Sequence, residues 1–291
     1  FERENSIERL KEAYTQNVLG YSFHAIIEDD DQIVGLNSYV PAYYLFKGEK
    51  MLFANSVTSM VAKKYRDFFS FFDMVKAAYS YMAKNGVSFV FGYPNDNSYP
   101  VLLKSKLMRE IGKMSIHCLP YRIGGIKSAL SFLNLFSVCI SRLWVGFLGL
   151  FANPDIYDYQ IHKEEESYNR MRYSRQDGDY RKINERGCEF VYKIMRYDHI
   201  WTAFLIDVSP KSSRNFNKAL QYLIKHQGKE FDLILYIGSI PSLYTGLIRI
   251  PERLEPKRFN FMGRILDSKS IDNAIWDLHL WDTNLSNYDL L

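Results

Sequence analysis

The densest run of groups able to hold a ligand is the string Phe91-Gly92-Tyr93-Pro94-Asn95-Asp96-Asn97-Ser98-Tyr99-Pro100. Its residues describe a buried strand that ends in a polar loop and opens a helix. Backbone N–H groups at a helix start can hold an anion, and each Asn side chain adds a donor and an acceptor. The simpler alternative is a Pro-Asn turn with an Asx cap. A second such start is Val208-Ser209-Pro210-Lys211-Ser212-Ser213-Arg214. Ser and Lys there could take a phosphate, although ordinary capping explains the same residues. The six histidines, His24, His117, His162, His199, His226 and His279, lack metal-ligand spacing, so no metal site is expected. His24 and His117 fall on expected strands, as a base in a cleft or as hydrogen-bonded core residues. Glu164-Glu165-Glu166 reads as a solvated helix face. Asp277, Asp282 and Asp289 read as rim residues or turn formers. No G-x-S-x-G, Walker or G-x-G-x-x-G pattern is present.

Strands and helices alternate around these residues. Ser22 to Glu28 reads as a strand, Gln32 to Phe46 as the next strand or pair, and Met51 to Met60 as another. Ser70 to Lys84 has helical spacing of Phe71, Phe72, Val75, Ala78, Tyr79 and Met82, closed by Asn85-Gly86. Val87 to Tyr93 is a short buried strand, Tyr99 to Lys106 a helix and Ile111 to Leu119 a strand. Ala129 to Phe151 is the most apolar stretch and is long enough to span a bilayer. Arg142 inside it, with Ser131, Asn134, Ser137 and Ser141 along one side, favours a buried or interfacial linker helix. Ile161 to Tyr173 then reads as a charged helix and Gln176 to Arg181 as a loop. Glu189 to Tyr197 and Ile200 to Val208 form a hairpin about Asp198-His199. Ser209-Pro210 starts a helix that continues from Asn215 to Gln227. Strands are expected at Asp232 to Ile237, Arg258 to Leu266 and Ile275 to Trp281, with a short helix or turn at Pro241 to Gly246. Two β–α–β runs separated by one apolar helix suggest a duplicated α/β or α+β domain.

The Phe91 to Pro100 string resembles the phenylalanine/tyrosine-proline-asparagine-x-asparagine-serine-tyrosine-proline signature of a bacterial branch of the GNAT acetyltransferases. Asp31-Gln32-Ile33-Val34-Gly35 resembles that family's turn and strand. Asn55 to Val61, followed by Lys64-Tyr65-Arg66, resembles its central strand and cofactor loop. Tyr168 to Tyr173, above all Arg172-Tyr173, and Trp276 to Asp282 resemble elements of a second, diverged copy. The resemblance implies two tandem GNAT-like acyl-CoA acyltransferase domains with mixed sheets flanked by helices. The expected boundaries are 1–122, a linker helix over 123–155, and 156–291. It implies acetyl-CoA or another acyl-CoA as cofactor and a small-molecule amine, such as an amino sugar or amino acid, as substrate. Thr58, Ser59, Met60 and Val61 would bond the pantetheine arm, Arg66 and Ser70 would lie at the phosphate end, and Asn95 and Asn97 at the cleft. Tyr99 and Asn95 are the catalytic candidates. Catalysis would rest on positioning and on a group that removes the amine proton.

The sequence departs from that pattern at three points. The cofactor loop reads Arg66-Asp67-Phe68-Phe69-Ser70-Phe71-Phe72, with no glycine where phosphate meets backbone. The position of the family's thiolate-protonating Tyr holds Leu102, and that of its Gly-aromatic pair Leu107-Met108. A catalytically silent GNAT scaffold that binds a ligand or partner is therefore the alternative; Phe68, Phe69, Phe71 and Phe72 would give it an apolar patch if exposed.

Composition sets the outer bounds. With 291 residues, 47% hydrophobic and 24% charged, the chain is globular and long enough for two cores. A net charge of +4, spread along the chain, does not point to nucleic acid. Cys118, Cys139 and Cys188 lie far apart, which suggests a reducing, cytoplasmic setting. Phe1 to Gln16 reads as charged and helical rather than as an apolar leader. Membrane association through Ala129 to Phe151 is the minor expectation for partners, and a homodimer is compatible with all of these features.

Overall fold

The computed structural model describes residues 7–65, 68–173, 179–185, 187–240 and 244–288, without the side chains of Arg9, Phe68 and Phe69. The first half begins with α1 (Ile7–Thr15), β1 (Phe23–Asp29), β2 (Gln32–Phe46) and β3 (Glu49–Val61). Its hairpins turn on Asp30-Asp31 and Lys47-Gly48, all at positive φ, the geometry whose twist matches paired strands. Then come α2 (Phe68–Lys84), β4 (Val87–Gly92), α3 (Ser98–Lys104), β5 (Arg109–Met114) and β6 (Ile116–Pro120). The middle holds α4 (Ile123–Ile126) and α5 (Asn134–Leu150), the latter preceded by a 3-10 turn from Ser128 to Leu133. The rest comprises β7 (Ile161–Lys163), α6 (Glu165–Tyr173), β8 (Arg181–Glu185), β9 (Cys188–Tyr197), β10 (Ile200–Ser209), α7 (Ser213–His226), β11 (Leu233–Ile237), β12 (Ile248–Arg249) and β13 (Phe259–Ile265).

The chain forms two units, each built from separated segments. Unit 1 takes Phe1–Lys113, Tyr159–Gly178 and Arg258–Asp282; unit 2 takes Met114–Asp158, Asp179–Lys257 and Thr283–Leu291. The contiguous division at 122 and 155 is corrected accordingly: residues 123–155 belong to unit 2 rather than forming a separate linker. Tyr168 to Tyr173 and Trp276 to Asp282, expected in a second copy, both belong to unit 1.

Unit 1 has a seven-stranded sheet ordered β1-β2-β3-β4-β13-β5, with β7 also on β2. Unit 2 has a six-stranded sheet ordered β12-β6-β11-β10-β9-β8. The two follow one plan. Two antiparallel pairings lead to a parallel pair joined by a helix: β3-α2-β4 in unit 1 and β10-α7-β11 in unit 2. An antiparallel strand then flanks the parallel pair, and it comes from the opposite half of the sequence. Late β13 pairs β4, whereas early β6 pairs β11.

This exchange explains several departures from the sequence expectations. The single strand at Ile111 to Leu119 is two, split at Ser115, because β5 serves one sheet and β6 the other. Ile161 to Lys163, expected as helix, is a strand on the β2 edge. Ile275 to Trp281 is a pair of 3-10 turns rather than a strand. There Trp281 packs within 6.2 Å, ring to ring, of Tyr44, Phe53, Phe89, Phe91 and Phe261. Contacts of this kind add roughly 0.5–1.5 kcal/mol per aromatic pair, and they draw this late segment into unit 1. The helix expected from Ser209-Pro210 starts at Ser213, where the Ser212 hydroxyl accepts from the Asn215 N–H at 3.1 Å. Arg181 opens β8 rather than ending a loop.

Each sheet is covered on its faces. In unit 1, Phe23, Tyr39, Ala54 and Val90 meet α2 through Val75, Ala78, Tyr79 and Met82. Ala42, Tyr44, Phe53, Phe89 and Phe91 point the other way, onto Ile161, Tyr168, Ile275 and Trp281. In unit 2, Phe190, Tyr192, Ala203, Leu205 and Val208 meet Phe216, Ala219, Leu220 and Leu223 of α7.

Candidate functional site

The parallel pair of unit 1 opens at one end. Pairing of β3 with β4 runs from Leu52↔Val87 to Ser56↔Gly92 and ends there, while β3 continues to Val61 with β2 as its partner. A β-bulge marks the parting point: Ser56 faces Tyr39 and Thr58 faces Ser38, leaving Val57 unopposed. A bulge bends its strand and shifts the alternation of side chains. Before it, Phe53 shares a face with Ala42 and Tyr44; after it, Thr58 does, because it stands opposite Ser38. At Gly92 a Cβ would meet Ser56 Cβ and O at 3.2 Å, so glycine permits the last close pairing.

Thr58, Ser59, Met60 and Val61 therefore lie on the strand that leaves its neighbour, Ser59 and Met60 exposed and Thr58 and Val61 half-buried. Thr58 ends a row across three strands, His24↔Ser38↔Thr58. His24 Nδ1 and Ser38 Oγ are 2.9 Å apart. Tyr14 of α1 covers the row, with its hydroxyl 2.8 Å from Thr58 Oγ1 and its ring edge-on to the imidazole at 4.9 Å. One side of His24 reaches solvent; burial of the other lowers its pKa from the usual histidine value, so the ring is neutral at pH 7. His24 was among the sequence candidates. Tyr14 and Ser38 were not, since only strand register and the docking of α1 bring them to Thr58.

The connection from β3 to α2 carries Lys63 and Lys64, both exposed, with Lys64 Nζ 5.1 Å from the Tyr65 ring centroid. Arg66 and Asp67 lie outside the described residues. Ser70 is half-buried in the first turn of α2. Phe71 and Phe72 are half-buried and pack against the core beneath α2.

The loop after β4 is held by Asn95. Its Oδ1 accepts from the N–H groups of Asn97 and Ser98, both at 3.0 Å, and from Ser98 Oγ at 3.1 Å. Its backbone oxygen accepts from Tyr99 N at 2.9 Å, so Asn95 fastens the turn before α3, whose N-cap Asn97 makes no side-chain bond. These bonds occupy the amide oxygen; the amide nitrogen projects from an exposed residue beside exposed Asn97. Tyr99 packs against the α2-side core, and its hydroxyl is hydrogen-bonded to Glu110. Partial burial, followed by that carboxylate, raises its pKa, so the phenol keeps its proton. Leu102 packs on the same core.

Unit 2 repeats the opening and closes it. Pairing of β10 with β11 stops at Phe204↔Leu235, and a bulge leaves Ile206 unopposed between Leu205↔Tyr192 and Asp207↔Val191. The chain's own segment from Thr283 to Asn287 enters here. Ser239 N–H donates to Thr283 O at 2.8 Å, and Asn284 Nδ2 donates to Asp207 Oδ1 at 2.8 Å, so the segment is fastened to both strands. Thr283, Asn284, Ser286 and Asn287 are all buried. Gly238 faces this segment at φ +148°, where a Cβ would lie 2.4 Å from Thr283 O. His117, the other histidine candidate, lies on β6 of unit 2; burial and the nearby Arg249 lower its pKa to about 4.

By sequence, no protein-family model and no curated protein matches this chain. By structure, it is similar to a probable N-acyltransferase, a conserved protein of unknown function from Enterococcus faecalis, at 12% identity and a TM-score of 0.58, covering 91% of this chain and 66% of that one. A GCN5-related N-acetyltransferase from Kribbella flavida is similar at 14% identity and a TM-score of 0.55, over 84% of this chain and 60% of that one. Eis1 from Mycobacterium abscessus is similar at 8% identity and a TM-score of 0.53, over 87% and 66%. In each case the chain spans less than two thirds of the solved chain's length. The likeness establishes the fold: mixed sheets flanked by helices in two GNAT-type units.

Proposed function

We propose that unit 1 is an acyl-CoA-dependent N-acyltransferase that moves an acyl group, acetyl in the simplest case, onto the amine of a small molecule such as an amino sugar or amino acid. The observation that carries this is the opening between β3 and β4. It has a bulge on its central strand and parted strands, and no segment is paired across it among the described residues. The backbone of Thr58 to Val61 would receive the pantetheine arm as an added strand, with the acyl end in the gap past Gly92.

The residues fit the two ends of the CoA ester unequally. At the acyl end, the parted strand and the glycine at position 92 suit an extended arm. At the phosphate end, the start of α2 offers backbone N–H groups, with Ser70, exposed Lys63 and Lys64, and Arg66 as the cations and hydroxyl within the connection. The absence of glycine makes this end a charge contact rather than a backbone cradle. Three unpaired cysteines favour work in a reducing cytoplasm.

His24 is assigned the proton-accepting role, in the tautomer whose Nδ1–H donates to Ser38 and whose Nε2 carries the lone pair. The amine nitrogen attacks the thioester carbonyl and a C–N bond forms. His24 takes the nitrogen's proton, the C–S bond breaks, and the electron pair leaves on sulfur. A thiol of pKa about 8.5 leaves without a strong acid, which is consistent with Leu102 at the family's acid position. The amide nitrogen of Asn95, at the α3 end of the cleft, orients the acceptor, whereas Tyr99, packed on the α2-side core with its hydroxyl bonded to Glu110, is given no part in the step.

The alternative of a silent scaffold rests on the glycine-free loop. Phe71 and Phe72 pack into the core, which weakens the apolar-patch form of that idea. Calorimetric titration with acetyl-CoA, beside coenzyme A and free pantetheine, tests the proposal. Micromolar binding weakened by Arg66→Ala is expected, and absence of binding at millimolar ligand overturns it.

A further inference from the structure

Unit 2 carries a surface that acyl transfer does not use. From Met114 to Pro154 the sequence has no carboxylate, and its ordinary cations are Arg122, Lys127 and Arg142. Within this stretch, Ser128–Leu150 is long and apolar enough to cross a membrane. Its polar edge is turned inward. Ser141 Oγ donates to Pro120 O at 2.7 Å, Ser137 Oγ donates to Tyr121 O at 3.0 Å, and Asn134 Oδ1 accepts from Gly124 N at 2.7 Å. Val145 on the same side is buried among Leu220 and Leu223 of α7.

The apolar edge is turned outward. Phe132, Leu135, Leu143 and Leu150 are 79%, 78%, 73% and 81% exposed, and Phe136 and Phe147 stand with them. Their spacing of three, four and seven places them along one stripe. Soluble monomers rarely leave so continuous an apolar face bare. The inward bonds to the end of β6 and the packing on α7 would be lost if this helix left its unit to span a bilayer, so it presents its length sideways.

The charge around the stripe points to one occupant. Helix α7, packed against α5, has no carboxylate between Ser213 and His226, and its exposed positions include Arg214 and Lys225. Of the carboxylates at the two ends of α5, Asp232 is paired with Arg122 at 2.8 Å, while Asp155 and Asp158 lie exposed beyond its C-terminal end. An apolar, Phe-rich stripe bordered by cations is the composition of a helix that lies in the headgroup region of an anionic bilayer. A second copy docked on the same stripe would bring the α7 cations of both copies to one rim, with no α7 carboxylate to answer them.

We propose that unit 2 docks flat on an anionic phospholipid surface, with the outer face of α5 among the acyl chains and the cations of α7 at the headgroups. The test is flotation of the full 291-residue chain with phosphatidylcholine vesicles, with and without phosphatidylglycerol as about a third of the lipid. At least tenfold more protein is expected on the anionic vesicles, falling toward the neutral level near ~0.5 M salt. The Leu143→Gln/Phe147→Gln double variant is expected to stay in the soluble fraction with an unchanged circular dichroism spectrum. The unsubstituted chain decides the matter even if that variant misfolds. Three outcomes overturn the proposal: a protein that ignores both vesicle types, a dimer in light scattering that shields the stripe and does not float, or an association that resists alkaline extraction as a spanning helix does.

Discussion

The β3/β4 opening of unit 1 and the β10/β11 opening of unit 2 are built the same way, but only the second has a segment of the chain fastened across it among the described residues. Each follows a parallel pair that ends early, and each has a bulge on its central strand, at Val57 and at Ile206. In unit 1 the central strand leads to Ser59 and Met60, both exposed. In unit 2 it leads to buried Asp207, hydrogen-bonded to the chain's own Asn284. A splayed strand pair leaves backbone groups that require a partner. Unit 2 supplies that partner from its own sequence, and unit 1 is proposed to take it from a ligand. In unit 2 the architecture is a structural joint; in unit 1 the same opening is the place where we propose a ligand binds.

His24 gives the largest expected break in that comparison. His24→Gln should lower kcat by about 10²–10⁴-fold, the usual weight of a general base, while leaving the melting temperature almost unchanged. Stopped assays of acyl transfer beside thermal melts would show both, and a variant that keeps full kcat removes His24 from the chemistry. Because burial lowers its pKa, the acid limb of kcat/KM should lie below the usual histidine value near 6.5.

The joint itself is next. Gly238→Ala drives a Cβ against the backbone of Thr283 and Asn284, at a position whose positive φ already disfavours alanine. A loss of about 3 kcal/mol is expected from the overpacking and strain together, read by urea unfolding. The same substitution should leave acetyl-CoA affinity in unit 1 within twofold; a large loss would mean that the two openings do not act separately.

His117 then sets a pH dependence of unit 2. Its folded pKa of about 4 lies below the unfolded value near 6.5. Between those values the unfolded chain binds the extra proton, so stability rises with pH from about 4 to 6.5 and is lost as pH falls through that window. The swing is at most about 3.4 kcal/mol, and His117→Leu should flatten it in melts taken across the window.

The smallest effects lie at the helix starts. Ser212→Ala and Asn95→Ala should each cost about 1 kcal/mol of stability. Only the second should also raise KM for the amine. Equal KM values would place the α3 loop outside the acceptor site.

Much of unit 1 was legible in its sequence. The helix over 70–84 announced itself by spacing, as did, in unit 2, the hairpin about Asp198-His199 by its turn residues. Thr58 to Val61 fell on the strand that does part from its neighbour. The partners of Thr58 were not legible, because Tyr14 lies on a helix with no local tie to β3 and Ser38 meets it only through a register displaced by the bulge. The second copy was drawn from the wrong segments for a similar reason: Trp276 to Asp282 carries an aromatic and turn pattern that fits either unit. The apolar run at 129–151 was visible, but which side would face inward was not. Hydropathy alone favours burying the leucines, whereas the serines have carbonyl acceptors to satisfy at the end of β6.

What the sequence by itself determined was local: periodicity set the helices, two-residue turns set the hairpins, and glycines at 92 and 238 marked where backbones come close. What only the tertiary structure decided was non-local: which half lends β6 and β13 to which sheet, and which opening is closed from within. Strand pairing depends on backbone groups that every residue carries, so the choice of partner leaves little trace in side-chain pattern. It is made by the burial that follows, as when Trp281 packs among the aromatic rings of unit 1 and Asn284 binds Asp207 in unit 2.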